Sequence, residues 1–417
     1  MKSGYSNLRC GLIGKKLGHS FSAIIHEQLA DYSFAMRELE PEELEKFVRS
    51  GELDAFCVTI PYKKDVMTFL DEISPEALDI GAVNVVVRRD NGRLYGYNTD
   101  YFGFGYTLDR ANVNVSGKKA IVFGRGGAAA TVCTLLRDRG VRQTVTFSSQ
   151  DNTESNLKKH ADAQIIVNAT PVGMYPNNLG SPAPLSLFPD CEAVFDLIYN
   201  PSRTSLMLEA EERGIITVGG LSMLVAQAAK AFEHFTGDDY ENGIIEKIIA
   251  DIRSKTENLI LVGMPGCGKS TVGKNVAEIL GREFLDADVE FKKMHSLTPA
   301  EAITELGEEK FRLMETETLR ELGKLCGKVI ATGGGAVTQS RNYPLLHQNG
   351  VIVFLERDLD KLAKSGRPIS NATPLDELYK RRIDAYLSFS DIRVNSTEIK
   401  EKTAMLIAAE FKKYFKG

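Results

Sequence analysis

Short apolar runs alternate with polar, helix-like stretches along the whole chain. Cys10-Gly11-Leu12-Ile13-Gly14 reads as a buried strand. A helix-like stretch over 22–30 follows, then a strand over 34–39, a helix over 41–48 with Pro41 in its first turn, and a strand over 55–60. Apolar segments at 83–88 and 93–97 flank Asn91-Gly92, a two-residue signal for a hairpin turn. Near Ser116 the pattern restarts. A strand over 119–123 runs into Gly124-Arg125-Gly126-Gly127, a helix follows over 128–139, and further strands fit 144–147, 164–168 and 193–197. This is the βαβ rhythm of a parallel sheet. Residues 221–255 read as helical. At Asn258 the pattern restarts again, with a strand over 259–262, a glycine-rich turn over 263–270 and alternating helix and strand to the C-terminus.

A length of 417 residues exceeds one ordinary core and implies two or three domains. The domain divisions are placed at about 106, 221 and 258, with a short polar linker at 253–257. Apolar residues at 43% and charged residues at 26% fit a globular protein. The net charge of -5 argues against a nucleic-acid binder, so anionic ligands must be met by local Arg and Lys. No apolar run approaches the roughly 20 residues that span a bilayer. The N-terminal residues lack the apolar core of a signal peptide, so the expected compartment is the cytoplasm. Six cysteines are scattered without a CxxC pair, which argues against structural zinc and a disulfide framework. The oligomeric state is left open.

The most specific motif is Gly263-Met264-Pro265-Gly266-Cys267-Gly268-Lys269-Ser270, which fits G-x-x-x-x-G-K-S between a predicted strand and helix. Its glycines let backbone N–H groups converge on phosphate at a helix N-terminus. Lys269 reaches the terminal phosphates, and Ser270 ligates Mg²⁺. This motif implies nucleotide binding and leaves the acceptor unnamed. Asp286-Ala287-Asp288 and Gly333-Gly334-Gly335 follow predicted strands, where an open α/β sheet places its ligand crevice.

With EEKFRLMETE around Arg312, GRP at Arg367 and RRIDAY around Arg382, residues 258–417 resemble a shikimate kinase. The resemblance implies ATP bound by Gly263, Pro265, Gly266, Cys267, Gly268, Lys269, Ser270 and Thr271. It implies Mg²⁺ held through Ser270 and Asp286, and Asp288 orienting or deprotonating the shikimate hydroxyl. Arg312 and Arg382 would pair with the substrate carboxylate, and Gly333, Gly334 and Gly335 would let the backbone approach its ring. Arg367 would stabilise charge on the transferred phosphoryl from a lid, where Lys364 replaces an arginine that commonly stacks on adenine.

Gly124-Arg125-Gly126-Gly127-Ala128-Ala129 fits G-x-G-x-x-G/A between a predicted strand and helix, the context of a dinucleotide site. About 20 residues on, Ser148 and Ser149 offer no acid for a free ribose hydroxyl, which leans toward NADP. No arginine stands there either, and Arg125 inside the glycine turn can supply the charge. Lys63, Asp100, Ser20, Ser22 and Asn84 lie upstream, and singly each reads as a turn or cap residue.

Together the segments HSFS, VTIPYK, GAVN, YNTD, GRGGA, NAT and GLSMLVAQAA make residues 8–250 similar to a shikimate dehydrogenase. The resemblance implies a catalytic Lys63–Asp100 pair, with Lys63 polarising the ketone and supplying its proton. Ser20 and Ser22 would bind the carboxylate, and Thr59, Asn84 and Gln227 the ring hydroxyls. Tyr199 would line the pocket. Gly124, Arg125, Gly126, Gly127, Ala128, Ser148 and Ser149 would hold the cofactor, with Asn168, Thr170 and Gly220 flanking the nicotinamide. The chain departs from the family at Cys57, commonly Asn, and at Ser148-Ser149-Gln150, commonly Asn-Arg-Thr.

The expected fold class is therefore α/β: a two-domain dehydrogenase with a Rossmann-like cofactor domain, followed by a P-loop kinase domain with a parallel sheet. The substrate domain would comprise 1–105 and 221–252, the NADP domain 106–220 and the kinase domain 258–417. Its ligands would be 3-dehydroshikimate, shikimate, NADP(H), ATP and Mg²⁺, with no nucleic acid and no membrane. Dehydrogenation of quinate, or one silent half, stays open at this level.

Overall fold

The computed structural model describes residues 2–18, 20–362 and 374–415. Lys364 and Arg367 lie outside the described residues. The chain divides into two compact units. The first is Met1–Tyr199 with Thr204–Ile249, and the second is Asn200–Arg203 with Ala250–Gly417.

The first unit holds two sheets. Strands β1 (Arg9–Gly14), β2 (Ser33–Glu38), β3 (Ala55–Val58), β4 (Glu72–Ile73), β5 (Val85–Arg88) and β6 (Leu94–Tyr97) form one, in the order β2-β1-β3-β5-β6-β4. β1 pairs in parallel with β2 and β3, whereas β5 is antiparallel to both β3 and β6. The Asn91-Gly92 turn closes the β5–β6 hairpin, with Gly92 at φ +80°. Strands β7 (Lys119–Phe123), β8 (Gln143–Phe147), β9 (Ile165–Asn168), β10 (Ala193–Asp196) and β11 (Ile216–Gly219) form the second, all-parallel sheet in the order β11-β10-β9-β7-β8. β7, β9 and β10 are buried along their whole length, as parallel strands covered on both faces must be.

The helical pattern over 221–255 is broken in the structure. One helix spans Leu221–Thr236 and another Ile244–Thr256. Gly237 stops the first by taking φ +80°, a left-handed C-terminal conformation that costs glycine little. The expected linker at 253–257 is also corrected, since Arg253 to Thr256 form the last turn of the second helix. The helix buries an apolar stripe of Ile244, Ile245, Ile248, Ile249 and Ile252, and the polar groups at its end are satisfied. Arg253 Nε donates to the buried Glu257 carboxylate at 2.6 Å, and Arg203 Nη1 lies 3.5 Å from that carboxylate's other oxygen.

In the second unit, strands β12 (Asn258–Val262), β13 (Phe284–Asp286), β14 (Val329–Ala331), β15 (Gly350–Glu356) and β16 (Ile392–Asn395) form one parallel sheet. The order is β13-β14-β12-β15-β16, so β12 is central and its C-terminal end opens at the point where successive connections diverge. Its core joins Leu259, Ile260, Leu261 and Val262 to Ile330, Val353, Phe354 and Tyr386. Among the described residues, no helix is long and apolar enough to cross a membrane.

Candidate functional site

In the first unit, Lys63 sits in the turn after β3. That turn is anchored by fully buried Tyr62, whose hydroxyl donates to the Leu39 carbonyl, and by Val83 N donating to Lys63 O at 2.8 Å. Asp100 occupies the first turn of the helix Thr99–Arg110, which Asn98 caps by accepting from Tyr101 N. Lys63 Nζ lies 2.5 Å from Asp100 Oδ2, with side-chain exposures of 17% and 3%. Asn84 Nδ2 donates to Asp100 Oδ1 at 2.9 Å, while Asn84 Oδ1 accepts from Thr99 N at 2.7 Å. Both Asp100 oxygens are thus held, and the ammonium is fixed at the wall of a cavity of about 490 Å³.

That cavity brings together Ser20, Ser22, Thr59, Lys63, Asn84, Asp100, Tyr199, Gly220 and Gln227. Ser20 Oγ donates to Ser22 Oγ at 3.0 Å, and the Tyr199 ring lies 5.2 Å from that of Phe21. Ala128, in the first turn of the helix that follows the glycine turn, reaches the same cavity. Two further residues line the wall, Cys57, where the family commonly has Asn, and His26. Cys57 is there as a thiol that burial pushes up to about 12. His26 was missed altogether, because a histidine inside a helical stretch carries no local signal. Its Nδ1 meets Tyr32 Oη at 2.6 Å, its Nε2 lies 3.9 Å from Cys57 Sγ, and burial pushes it down to about 3.

The glycine turn between β7 and the helix Gly127–Asp138 is a cradle for a dinucleotide. Gly124 has φ +116°, and a Cβ there would lie 2.8 Å from the Ala169 carbonyl oxygen. Asn168 and Thr170 lie outside the Lys63 cavity lining. Thr170 Oγ1 donates to Asn168 Oδ1 at 2.7 Å, and Asn168 Nδ2 donates to the buried Asp196 carboxylate at 3.0 Å. Burial pushes Asp196 up to about 6. At the end of β8, Ser148 N and Oγ donate to Asp151 Oδ1 at 2.5 and 2.7 Å, and Arg125 pairs with Asp151 Oδ2. Arg125 and Ser148 therefore share one locus, joined by an acid that the sequence reading did not single out. Its position four residues beyond Phe147, the last residue of β8, was the available signal.

The second unit carries a cavity of about 500 Å³ at the C-terminal end of β12. Lys269 folds over its own loop, donating to Gly263 O at 2.8 Å and Met264 O at 3.1 Å. Ser270 Oγ donates to Asp286 Oδ2 at 2.6 Å, and Asp286 caps the helix Ala287–His295 through Asp288 N. This hydroxyl–carboxylate pair suits Mg²⁺, which takes one or two protein oxygens and completes its shell with phosphate and water. Pro265, Gly266, Gly268, Thr271 and Asp288 also line the cavity, whereas Cys267 is fully buried beneath it.

Arg312 and Arg382 converge on the glycine loop after β14. Arg382 Nη1 donates to Gly334 O at 3.0 Å, and Tyr386 Oη donates to the same oxygen at 2.5 Å. A Cβ on Gly335 would lie 2.4 Å from Arg312 Nη1, so only glycine leaves that guanidinium its place. Glu315, also missed by the sequence reading, accepts from Arg312 Nη1 at 2.7 Å. Burial raises the Glu315 carboxyl above its ordinary range, against the opposing pull of Arg312. Its three-residue spacing from Arg312 on one helix was the available signal.

Family models match at both ends of this arrangement: the shikimate dehydrogenase substrate binding domain over 12–86, and shikimate kinase over 265–412. The NADP-dependent shikimate dehydrogenase of Clostridium beijerinckii is 39% identical over 243 residues, covering 54% of this chain and 90% of that protein. That of Clostridium perfringens is 36% identical over 270 residues, covering 59% and 98%. The crystal structure of a chorismate mutase/shikimate 5-dehydrogenase fusion protein from Clostridium acetobutylicum covers 59% of this chain and 97% of its own, at 33% identity and a TM-score of 0.55. The first unit of the chain belongs to the shikimate dehydrogenase family, and the second carries a shikimate kinase domain.

Proposed function

We propose that the two cavities catalyse consecutive steps, with Lys63 and Asp100 serving NADPH-dependent reduction of 3-dehydroshikimate and the P-loop cavity serving phosphorylation of shikimate by ATP. The chain is a bifunctional enzyme of the shikimate pathway. The observation that carries the assignment of roles is the Lys63–Asp100 contact of 2.5 Å at the wall of a cavity that Ala128, at the start of the helix after the glycine turn, also lines.

NADPH supplies the hydride. Lys63 Nζ polarises the ketone oxygen and gives it a proton as the alkoxide forms. Asp100 keeps the ammonium aimed, and Asn84 keeps Asp100 aimed. Ser20 and Ser22 meet the carboxylate with hydroxyl donors, Thr59 and Gln227 meet ring hydroxyls, and Tyr199 covers the ring. Gly124, Gly126 and Gly127 admit the pyrophosphate, while Gly220, Asn168 and Thr170 shape the nicotinamide side. Arg125 serves the 2′-phosphate beside Ser148 and Ser149, so Arg125→Ala should weaken NADPH binding more than NADH binding.

In the kinase cavity, Ser270 and Asp286 would hold Mg²⁺, and Lys269 would exchange its loop carbonyls for the terminal phosphates. Asp288 orients the attacking hydroxyl and takes its proton. Arg312 and Arg382 clamp the carboxylate, a geometry that planar guanidinium groups suit. Arg367 and Lys364 keep their proposed roles at the transferred phosphoryl and the nucleotide. Such an enzyme works in the cytoplasm, where both nucleotides are available. The test is incubation of the chain with 3-dehydroshikimate, NADPH and MgATP, with mass spectrometry for shikimate 3-phosphate. Shikimate alone would refute the kinase assignment, and unreacted ketone the dehydrogenase assignment.

A further inference from the structure

We propose that Arg357 is an additional anchor for the nucleotide's polyphosphate, supplied by the strand beside the P-loop and not by the P-loop motif itself. The inference rests on the reading of this cavity as an ATP site. β15 pairs with β12 up to Val262↔Phe354, so the residues just past Phe354 run alongside the glycine turn that follows Val262. A Cβ on Gly263 would lie 2.5 Å from Leu355 O, and one on Gly268 would lie 3.9 Å from Arg357 Nη1. The guanidinium therefore faces the residue that immediately precedes Lys269. Arg357 also lines the cavity that holds Lys269, Ser270 and Asp286.

Its neighbours leave it unclaimed. Glu356 is engaged by Arg393 Nε at 2.8 Å and by Tyr379 Oη at 2.9 Å, and Asp358 pairs with Lys361 at 3.0 Å. Among the described residues, no carboxylate forms an ion pair with Arg357, although it is half-buried. A half-buried guanidinium without a counter-charge has lost hydration and gained nothing for it. A bound polyphosphate supplies the missing charge and accepts its N–H groups. Lys269 is different, because it is already satisfied by two loop carbonyls and must exchange them for phosphate. Arg357 offers charge with no bond to break.

Isothermal titration calorimetry on the full chain separates the possibilities. The probes are a non-hydrolysable MgATP analogue, magnesium tripolyphosphate and shikimate, each titrated into wild type, Arg357→Gln and Arg357→Lys. Binding of the analogue to wild type tests the ATP reading itself, and the ratio of wild type to variant tests Arg357. In Arg357→Gln, both the analogue and tripolyphosphate should bind about tenfold more weakly, the scale of one charge-assisted hydrogen bond, with shikimate affinity unchanged. Arg357→Lys should recover most of that loss. Unchanged affinity for the analogue would overturn the proposal. So would loss for the analogue but not for tripolyphosphate, which would put Arg357 on the base, or an equal loss for shikimate, which would make its role structural.

Discussion

Replacing Lys63 by Met keeps most of the side chain's apolar stem and removes its charge. Asp100 then keeps its Asn84 bond at 2.9 Å but loses the ammonium at 2.5 Å. Because Asp100 is almost fully buried, its carboxylate is left without a counter-charge. Orphaning a buried ionic partner costs about 3–5 kcal/mol when neither group meets water. Lys63 is 17% exposed at the cavity wall, so water can replace part of its contact, and a loss nearer 1–3 kcal/mol is expected. The catalytic loss is separate. A positioned proton donor contributes about 10²–10⁴-fold, roughly 3–5 kcal/mol of transition-state stabilisation. The assay follows the fall of NADPH absorbance with 3-dehydroshikimate at saturating cofactor. In the same preparation, shikimate phosphorylation serves as the internal control and should be unchanged. A fall in kcat of less than tenfold would refute Lys63 as the proton donor. A parallel fall in kinase activity would show that Lys63→Met damages the whole chain and not the dehydrogenase chemistry.

In the kinase cavity, Arg312→Met leaves Glu315 buried without its 2.7 Å partner. The unit containing it should lose about 2–4 kcal/mol in urea unfolding, and KM for shikimate should rise about 100-fold with dehydrogenase activity intact. Cys57→Asn places an amide donor in the dehydrogenase cavity in place of a thiol that is a weak one. KM for 3-dehydroshikimate should fall about two- to tenfold with kcat little changed, and an unchanged KM would show that position 57 does not touch substrate. His26 has a folded pKa of about 3 because it is buried, against an ordinary value of 6.5. Between those values the unfolded chain binds the proton and the folded one does not. Stability from this group is therefore complete above pH 6.5 and falls as pH drops toward 3, by up to about 1.4 kcal/mol per unit. Denaturant unfolding of His26→Gln should lack that slope, so the difference from wild type should widen with rising pH.

Some of this protein was legible in contiguous sequence, because the physics involved is local. Gly263 to Ser270 is a loop whose phosphate contacts come from its own backbone and the helix it opens, so spacing alone specifies it. The all-buried strands β7 and β12 declared themselves as apolar runs ending in glycine turns, β9 as a short apolar run, and Asn91-Gly92 announced its hairpin. The helix break over 237–243 was missed, although its polar stretch is bracketed by Gly237 and Gly243, which take φ +80° and +78°.

The chemistry between distant residues was decided by tertiary structure. Lys63, Asn84 and Asp100 come from a turn, a strand entrance and a helix start, and only their packing yields the 2.5 Å contact. The same holds for Asp151 joining Arg125 to Ser148, for His26 behind Cys57, and for Arg357 beside Gly268. A side chain's local sequence sets which hydrogen bonds and charges it can offer. Which partner meets them, and how much water is excluded when it does, depends on strands and helices brought together from far along the chain, and that is where burial and Coulomb energy are determined.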